Sequence, residues 1–264
     1  MTEHADQPNV ARIYDYLLGG KDHFAADRQA AQRLIAALPN AAAVARANRA
    51  FLAAAVRHAA REGIAQFLDI GAGLPTSPSV HECAREIIPG ARVAYVDNDP
   101  AAVAQAQALL TAGDGVIAAE GDARDPEAIL ASPALAGVID PTEPVCLLLV
   151  SMLHFVTADE ADLIVGTFRQ RMAPGSYLII SQGHSGPAPR EEVQDAYRSG
   201  ITLTGRPAAE IAAYFDGFDL VPPGLVPVAD WTAAQSAAQP PPGQPAHSTS
   251  PQAAMLAGVG RKRP

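Results

Sequence analysis

The chain of 264 residues predicts an α/β fold built on a mainly parallel sheet, and three observations predict it. Short apolar stretches alternate with helical stretches from Phe67 to Ile180, as parallel strands joined by crossover helices do. The first of these stretches runs straight into a Gly-x-Gly turn, Phe67-Leu-Asp-Ile-Gly-Ala-Gly73. The second, Arg92-Val-Ala-Tyr-Val-Asp97, ends in a carboxylate about twenty residues beyond that turn, where nucleotide-binding sheets carry an acid for ribose hydroxyls.

The first ten residues read as a loose arm. Tyr14, Asp15, Tyr16, Lys21, Asp22 and His23 then crowd around Gly19-Gly20. A helix ending in glycines, followed by a capped helix, accounts for Gly19, Gly20 and Asp22. It leaves two tyrosines, a lysine and a histidine without a reason. They read as a lid over a bound ligand, with the glycines as hinges. Phe24 to Leu38 is expected to be a helix with Asp22 as N-cap, and Pro39 separates it from a longer, Ala-rich helix over Asn40 to Arg61. Val44, Ala47, Phe51 and Ala55 stand at helical spacing there. Residues 1–61 are thus expected to form a helical extension and 62–264 the core.

The glycines of the first turn allow it to bend tightly and leave no side chain between main chain and ligand. A dinucleotide site wants a third glycine so that a helix N-terminus can receive a pyrophosphate. Thr76 stands at that position, after Pro75, and Asp69 would repel a pyrophosphate. S-adenosylmethionine carries no phosphate and ends in a zwitterion whose ammonium suits Asp69. Gly71, Ala72 and Gly73 would then approach the cofactor with their backbone. Asp97, with Asn98 beside it, would take the ribose hydroxyls through charge-assisted bonds of about 1.5–3 kcal/mol each. Asp99-Pro100 reads as a helix start instead.

A third strand, Gly115 to Ala119, leads to Asp122, placed to accept the exocyclic amine of adenine, and to Ala123, which offers its N–H. Asp125-Pro126 reads as another helix start. A fourth strand, Pro144 to Val150, is apolar throughout, as a central parallel strand is. It delivers Ser151 and His154 to the rim where the methyl group would lie. His154 is read either as a base for an acceptor hydroxyl or amine, or as a packing residue. A fifth strand covers Ser176 to Ile180. Helices are expected over Glu191 to Tyr197 and Pro207 to Phe215, and last strands over Phe218 to Val221 and Met255 to Val259. Residues 237–251, rich in Pro, Gly and Ser and containing His247, read as a flexible loop. Arg261-Lys-Arg263 reads as a solvated basic terminus.

Leu-Asp-Ile-Gly-x-Gly, Val-Asp, Gly-Asp-Ala and the strand leading to His154-Phe155, taken in that order, resemble class I S-adenosylmethionine-dependent methyltransferases. Ala11 to Phe24, Ala45 to Phe51 and Tyr95 to Pro100 narrow the resemblance to the bacterial, mainly actinomycete, S-adenosyl methyltransferase family once classed as of unknown function. The resemblance implies a Rossmann-like, seven-stranded, mainly parallel sheet with an antiparallel last strand, and S-adenosyl-L-methionine as cofactor. It names no methyl acceptor. In the lid, Tyr14 or Tyr16 would pack on the cofactor and Lys21 or Arg12 would meet its carboxylate.

A net charge of −9 argues against gripping long nucleic acid, which needs a basic surface. Cys83 and Cys146 read as small buried hydrophobes, and no Cys/His cluster has metal-ligand spacing. The polar start and the lack of a long apolar run point to a cytoplasmic chain without a membrane segment. Three readings follow. The favoured one is a methyltransferase acting on oxygen or nitrogen of a small molecule; the others are a non-catalytic S-adenosylmethionine sensor and a nicotinamide-dependent oxidoreductase.

Overall fold

The computed structural model describes residues 6–110, 115–185, 203–236 and 255–264. The expected helix at Glu191 to Tyr197 and the loop 237–251 with His247 lie outside the described residues.

Eight strands form one sheet: β1 Gln66–Ile70, β2 Arg92–Asp97, β3 Val116–Glu120, β4 Cys146–Val150, β5 Tyr177–Gly183, β6 Phe218–Leu220, β7 Val226–Pro227 and β8 Met255–Lys262. Seven lie in the order β3-β2-β1-β4-β5-β8-β6, and the two-residue β7 pairs with β8 beside them. The first five are parallel; β8 runs antiparallel between β5 and β6. The expected sheet is therefore present, with one short extra strand that has no sequence signal because Val226-Pro227 is too brief to show alternation. β1 and β4 are buried along their whole length, so both faces of the sheet are covered.

Helices cover those faces. α1 (Val10–Leu18), α2 (Ala25–Ala37) and α3 (Ala41–Arg61) precede β1, and α4 (Val80–Arg85) and α5 (Pro100–Leu109) flank β2. α6 (Pro126–Leu130), α7 (Pro133–Ala136) and α8 (Ala158–Arg171) follow, then α9 (Ala208–Ala213) and α10 (Val228–Ser236). Asp99 and Asp125 cap α5 and α6 with Pro in the first turn, as their sequences predict. α3 packs Phe51, Leu52, Ala55, Val56 and Ala59 into the same core as Phe67, Val93, Leu148 and Ile179 of the sheet. Its other end joins a smaller cluster with Ile13 and Leu17 of α1 and Ala30, Ala31 and Leu34 of α2. α3 is the joint between the N-terminal helices and the sheet.

Two local expectations need correction. Asp22 does not cap α2: its own N–H donates to Asp15 Oδ2 (2.8 Å), and Asp27 supplies the carboxylate that accepts from Phe24 N (2.8 Å). Gly19 ends α1 in the left-handed conformation, φ 84°, which favours glycine. The basic terminus is not a free tail. Arg261 and Lys262 belong to β8, and Lys262 Nζ donates to the carbonyls of Arg169 (2.7 Å) and Met172 at the end of α8.

Asp27 is fully buried and gathers three donors: Asn9 N, Phe24 N and Arg12 Nε, each at 2.8 Å. Arg12 thus ties α1 to α2. Removing one partner of such a pair leaves a buried charge uncompensated and costs about 3–5 kcal/mol. Asp27→Ala is therefore expected to lower the urea-unfolding free energy by about 3 kcal/mol; a loss under about 1 kcal/mol, the range of exposed pairs, would contradict this role.

Candidate functional site

The carboxyl ends of β1, β2 and β4 converge on the Gly71–Gly73 turn. Gly71 N and Ala72 N donate to Val96 O of β2 (2.8 and 3.2 Å), and Gly73 N donates to Asp97 Oδ2 (2.7 Å). Gly71 and Gly73 have φ of 70° and 66°. A Cβ on Gly71 would lie 2.9 Å from Met152 Cβ, so the turn also presses against the chain leaving β4. The structure therefore brings Asp69, Gly71, Ala72, Gly73, Asp97 and the Ser151–Met152 step to one edge of the sheet.

Asp97 accepts from Asp99 N with its other oxygen (2.9 Å). Burial raises its pKa, against the lowering effect of these N–H donors. It keeps lone pairs for a ligand, since a carboxylate offers about four acceptor sites. Asn98 is exposed beside it. Gly121 N donates to Asp97 O (3.0 Å), which joins the β3 end to the same edge. There a cavity of about 80 Å³ is lined by Val96, Gly121, Asp122, Ile129 and Leu135. Both oxygens of Asp122 accept from Arg124 Nε (2.9 and 3.0 Å), which holds its carboxyl below the ordinary range. Ala123 is half-buried against the neighbouring core.

Asp69 is buried in the last turn of β1, and its carboxylate takes no hydrogen bond among the described residues. Burial pushes its pKa up to about 7, partly opposed by the charge of Arg49 and reinforced by Asp97. Arg49 comes from α3 and donates to Thr76 O (2.9 Å) and Pro78 O (2.7 Å), pinning the far half of the glycine turn. Ser151 has φ 58°, unusual for a residue with a Cβ, and its N–H donates to Ser181 Oγ (2.9 Å). Strain of this kind costs about 1–3 kcal/mol and gathers at functional positions.

The N-terminal helix lies over this edge. Asn9 Nδ2 donates to Asp99 Oδ2 (2.9 Å), and a Cβ on Gly73 would lie 3.6 Å from Ala11 Cβ. Tyr14, however, turns its hydroxyl to α3: it donates to Ala45 O (3.1 Å) and accepts from Asn48 Nδ2 (2.9 Å). Arg12 is held by Asp27. Lys21 is exposed next to Asp22, whose carboxylate accepts from Gln105 of α5 (3.2 Å). The cation beside Asp69 is Arg49, which the sequence reading did not single out.

His154 is 5% exposed, accepts weakly from Gly183 N (3.4 Å), and is pushed down to about 3 by burial and then by Arg206. It is neutral at pH 7 and a poor acceptor of a proton. Arg206, also buried, donates to the carbonyls of Leu153 (2.7 Å), Val156 (3.0 Å) and Thr157 (2.8 Å), fixing the turn between β4 and α8. Sequence alone marked neither arginine, because each acts on backbone carbonyls far away along the chain. One signal was present: Asn48 stands at the polar break in the apolar stripe Val44, Phe51, Ala55 of α3.

These residues fit S-adenosylmethionine. A buried acid without a hydrogen bond suits an ammonium, a strand-end acid suits ribose hydroxyls, and a cavity of mainly apolar side chains beside Glu120 and Asp122 suits adenine. Among the described residues, no cluster of His, Cys, Asp or Glu could hold a metal, and no helix is long and apolar enough to cross a membrane.

Known proteins agree. Residues 3–263 match the protein family described as S-adenosyl methyltransferase. A solved structure from Thermobifida fusca YX, a provisionally named methyltransferase, is 37% identical with a TM-score of 0.89, over 99% of this chain and 97% of that one. A DUF574 family protein from Streptomyces avermitilis MA-4680 is 36% identical with a TM-score of 0.87, over 98% of each chain. The mitomycin 7-O-methyltransferase MmcR shares the fold alone, at 18% identity and a TM-score of 0.50, over 89% of this chain and 68% of that one. No curated protein matches.

Because Asp69 binds more protons in the folded than in the unfolded chain between about pH 4 and 7, stability falls as pH rises through that window. Asp69→Asn is accordingly expected to raise the melting temperature of the ligand-free protein at pH 8 and to leave it unchanged at pH 4. An equal shift at both pH values would show that the carboxylate is not the costly group.

Proposed function

The chain belongs to the S-adenosyl methyltransferase family, and on that premise we propose that it methylates oxygen or nitrogen of a small molecule by direct in-line transfer. When bound, the cofactor supplies a methyl group already activated on a sulfonium. The protein's share is therefore position and exclusion of water, which together account for about 7–11 kcal/mol of a barrier.

In this reading Asp97 and Asn98 hold the ribose, Asp122 and Ala123 the adenine edge, and Asp69 the ammonium. Gly71, Ala72 and Gly73 admit the ligand against the main chain, and Ser151 orients the β4 end at the reacting side. α1 and α2 serve as a cover, and α3 belongs with the core. Tyr14 braces that cover. Lys21 is exposed beside Asp22, in the turn that joins α1 to α2.

The observation that carries the small-molecule acceptor is the half-buried set Tyr14, Tyr16, Phe155 and Leu203, which packs on the N-terminal helical cluster beside the end of β4. Such a wall suits a compact, flat, apolar acceptor. His154 contributes as part of the wall and not as a base, because a group with a pKa of about 3 gains little from taking a proton at pH 7. The acceptor must then present its own lone pair at neutral pH, as a phenol near its ionisation or a neutral amine does.

Two measurements test this. Incubation with S-adenosylmethionine and a panel of small phenols and aromatic amines is expected to give S-adenosylhomocysteine together with one-methyl products by mass spectrometry. Cofactor binding with no turnover of any acceptor would instead favour a sensor. Asp97→Asn is expected to weaken S-adenosylmethionine binding about 10–100-fold by calorimetry, the worth of a lost charge-assisted pair of bonds; unchanged affinity would remove Asp97 from the site.

A further inference from the structure

We infer that the adjacent residues Asn48 and Arg49 of α3 bind the aminocarboxylate end of the cofactor, Arg49 donating to the carboxylate and Asn48 accepting from the ammonium beside Asp69. The inference rests on the cofactor reading above and deepens it.

Three polar groups, on Asn48 and Arg49 of α3 and on Asp69 of β1, have hydrogen-bonding capacity that the described structure does not use. Arg49 spends one terminal nitrogen on Thr76 O and Pro78 O, but its Nε is buried with no partner. Asn48 is 1% exposed and spends its amide nitrogen on the Tyr14 hydroxyl, while its Oδ1 is buried with no partner. Asp69 is buried without a hydrogen bond among the described residues. The charge of Arg49 acts on both Tyr14 and Asp69, so it lies within electrostatic reach of each. Buried polar groups are almost always satisfied, so unsatisfied ones within reach of one charged site call for a ligand.

The pattern of what is missing identifies that ligand. Asp69 and Asn48 Oδ1 want donors and a positive charge, whereas Arg49 Nε wants an acceptor and a negative one. A phosphate would satisfy Arg49 and be repelled by Asp69. A simple amine would satisfy Asp69 and leave the guanidinium short. An α-amino acid group carries both charges on one carbon and meets all three.

Arg49 has a second consequence. The same side chain fixes the carbonyls of Thr76 and Pro78, and Asn48 reaches Tyr14 of α1. The glycine turn, the N-terminal helix and the zwitterion are thereby read by two neighbouring residues of one helix. Arg49 is a positioning residue in this account: it sets the cofactor and takes no part in bond making.

The test compares S-adenosylmethionine with its decarboxylated analogue, which keeps the sulfonium and the ammonium but lacks the carboxylate. Calorimetric titration of the wild type is expected to show about 10–100-fold preference for the intact cofactor, the range of a charged hydrogen-bonded contact. Arg49→Gln should abolish the preference by losing affinity for the intact cofactor while retaining that for the analogue. Arg49→Lys, which keeps the charge without the guanidinium fork, should retain an intermediate preference and guards against a folding defect in the first variant. A preference kept in Arg49→Gln, or an equal loss for both ligands, would overturn the inference and leave the cofactor reading intact. A wild type that binds neither ligand would overturn both.

Discussion

The turn after β1 is held by a carboxylate that belongs to the next strand. Asp97 accepts from Gly73 N, Val96 O accepts from Gly71 and Ala72, and these bonds fix where the glycines can lie. Everything else at the site is placed from there. A Cβ on Gly71 would press on Met152 at the β4 end, and one on Gly73 would touch Ala11 of α1; Asp99, two residues on from Asp97, receives Asn9. One acid at a strand end both organises the turn and keeps acceptor sites open, the use proposed for it being a ribose. This double use follows from geometry: parallel strands end side by side, and only the turn between them comes within reach of both.

The surroundings of Asp69 work on the opposite principle. There the fold keeps polar groups unsatisfied and buried, which costs stability in the ligand-free chain. Asp69 shows that cost as a pKa raised to about 7, and Arg49 offsets only part of it. Groups kept short of partners are worth most to a ligand that supplies them, since no internal bond must first be broken. The N-terminal helices explain how such a corner stays dry enough to matter. They are packed through Ile13, Leu17 and Leu34 and cross-linked by Arg12 to the buried Asp27, which is itself independent of the ligand.

The strands and the acids at their ends were legible in the sequence because they depend on local pattern. The apolar runs, the Gly-x-Gly turn, and Asp99 and Asp125 before prolines each act within a few residues of themselves. Arg49 and Arg206 were not legible. Each is a long side chain that reaches backbone carbonyls tens of residues away, and no local pattern encodes a carbonyl. His154 stood where the sequence placed it, after β4, but its burial beside Arg206 depends on the segment that returns after β5. Asp22 failed as a cap because α2 starts later: Phe24 stands at the N-cap, and Asp27 accepts from its N–H. The N-terminal block was correctly sensed as crowded with polar residues. The engagement of Tyr14 by Asn48 of α3 was not legible there, because it joins residues more than thirty positions apart.

The central claim is that a single ligand is enclosed jointly by the strand ends and the N-terminal helices. Hydrogen–deuterium exchange with and without S-adenosylmethionine tests it most directly, because backbone protection reports each segment separately. The account predicts slower exchange together in residues 9–18, 69–76 and 97–99 when the cofactor is added. Protection confined to residues 97–123, with 9–18 unchanged, would contradict the claim and leave the N-terminal helices as a structural appendage.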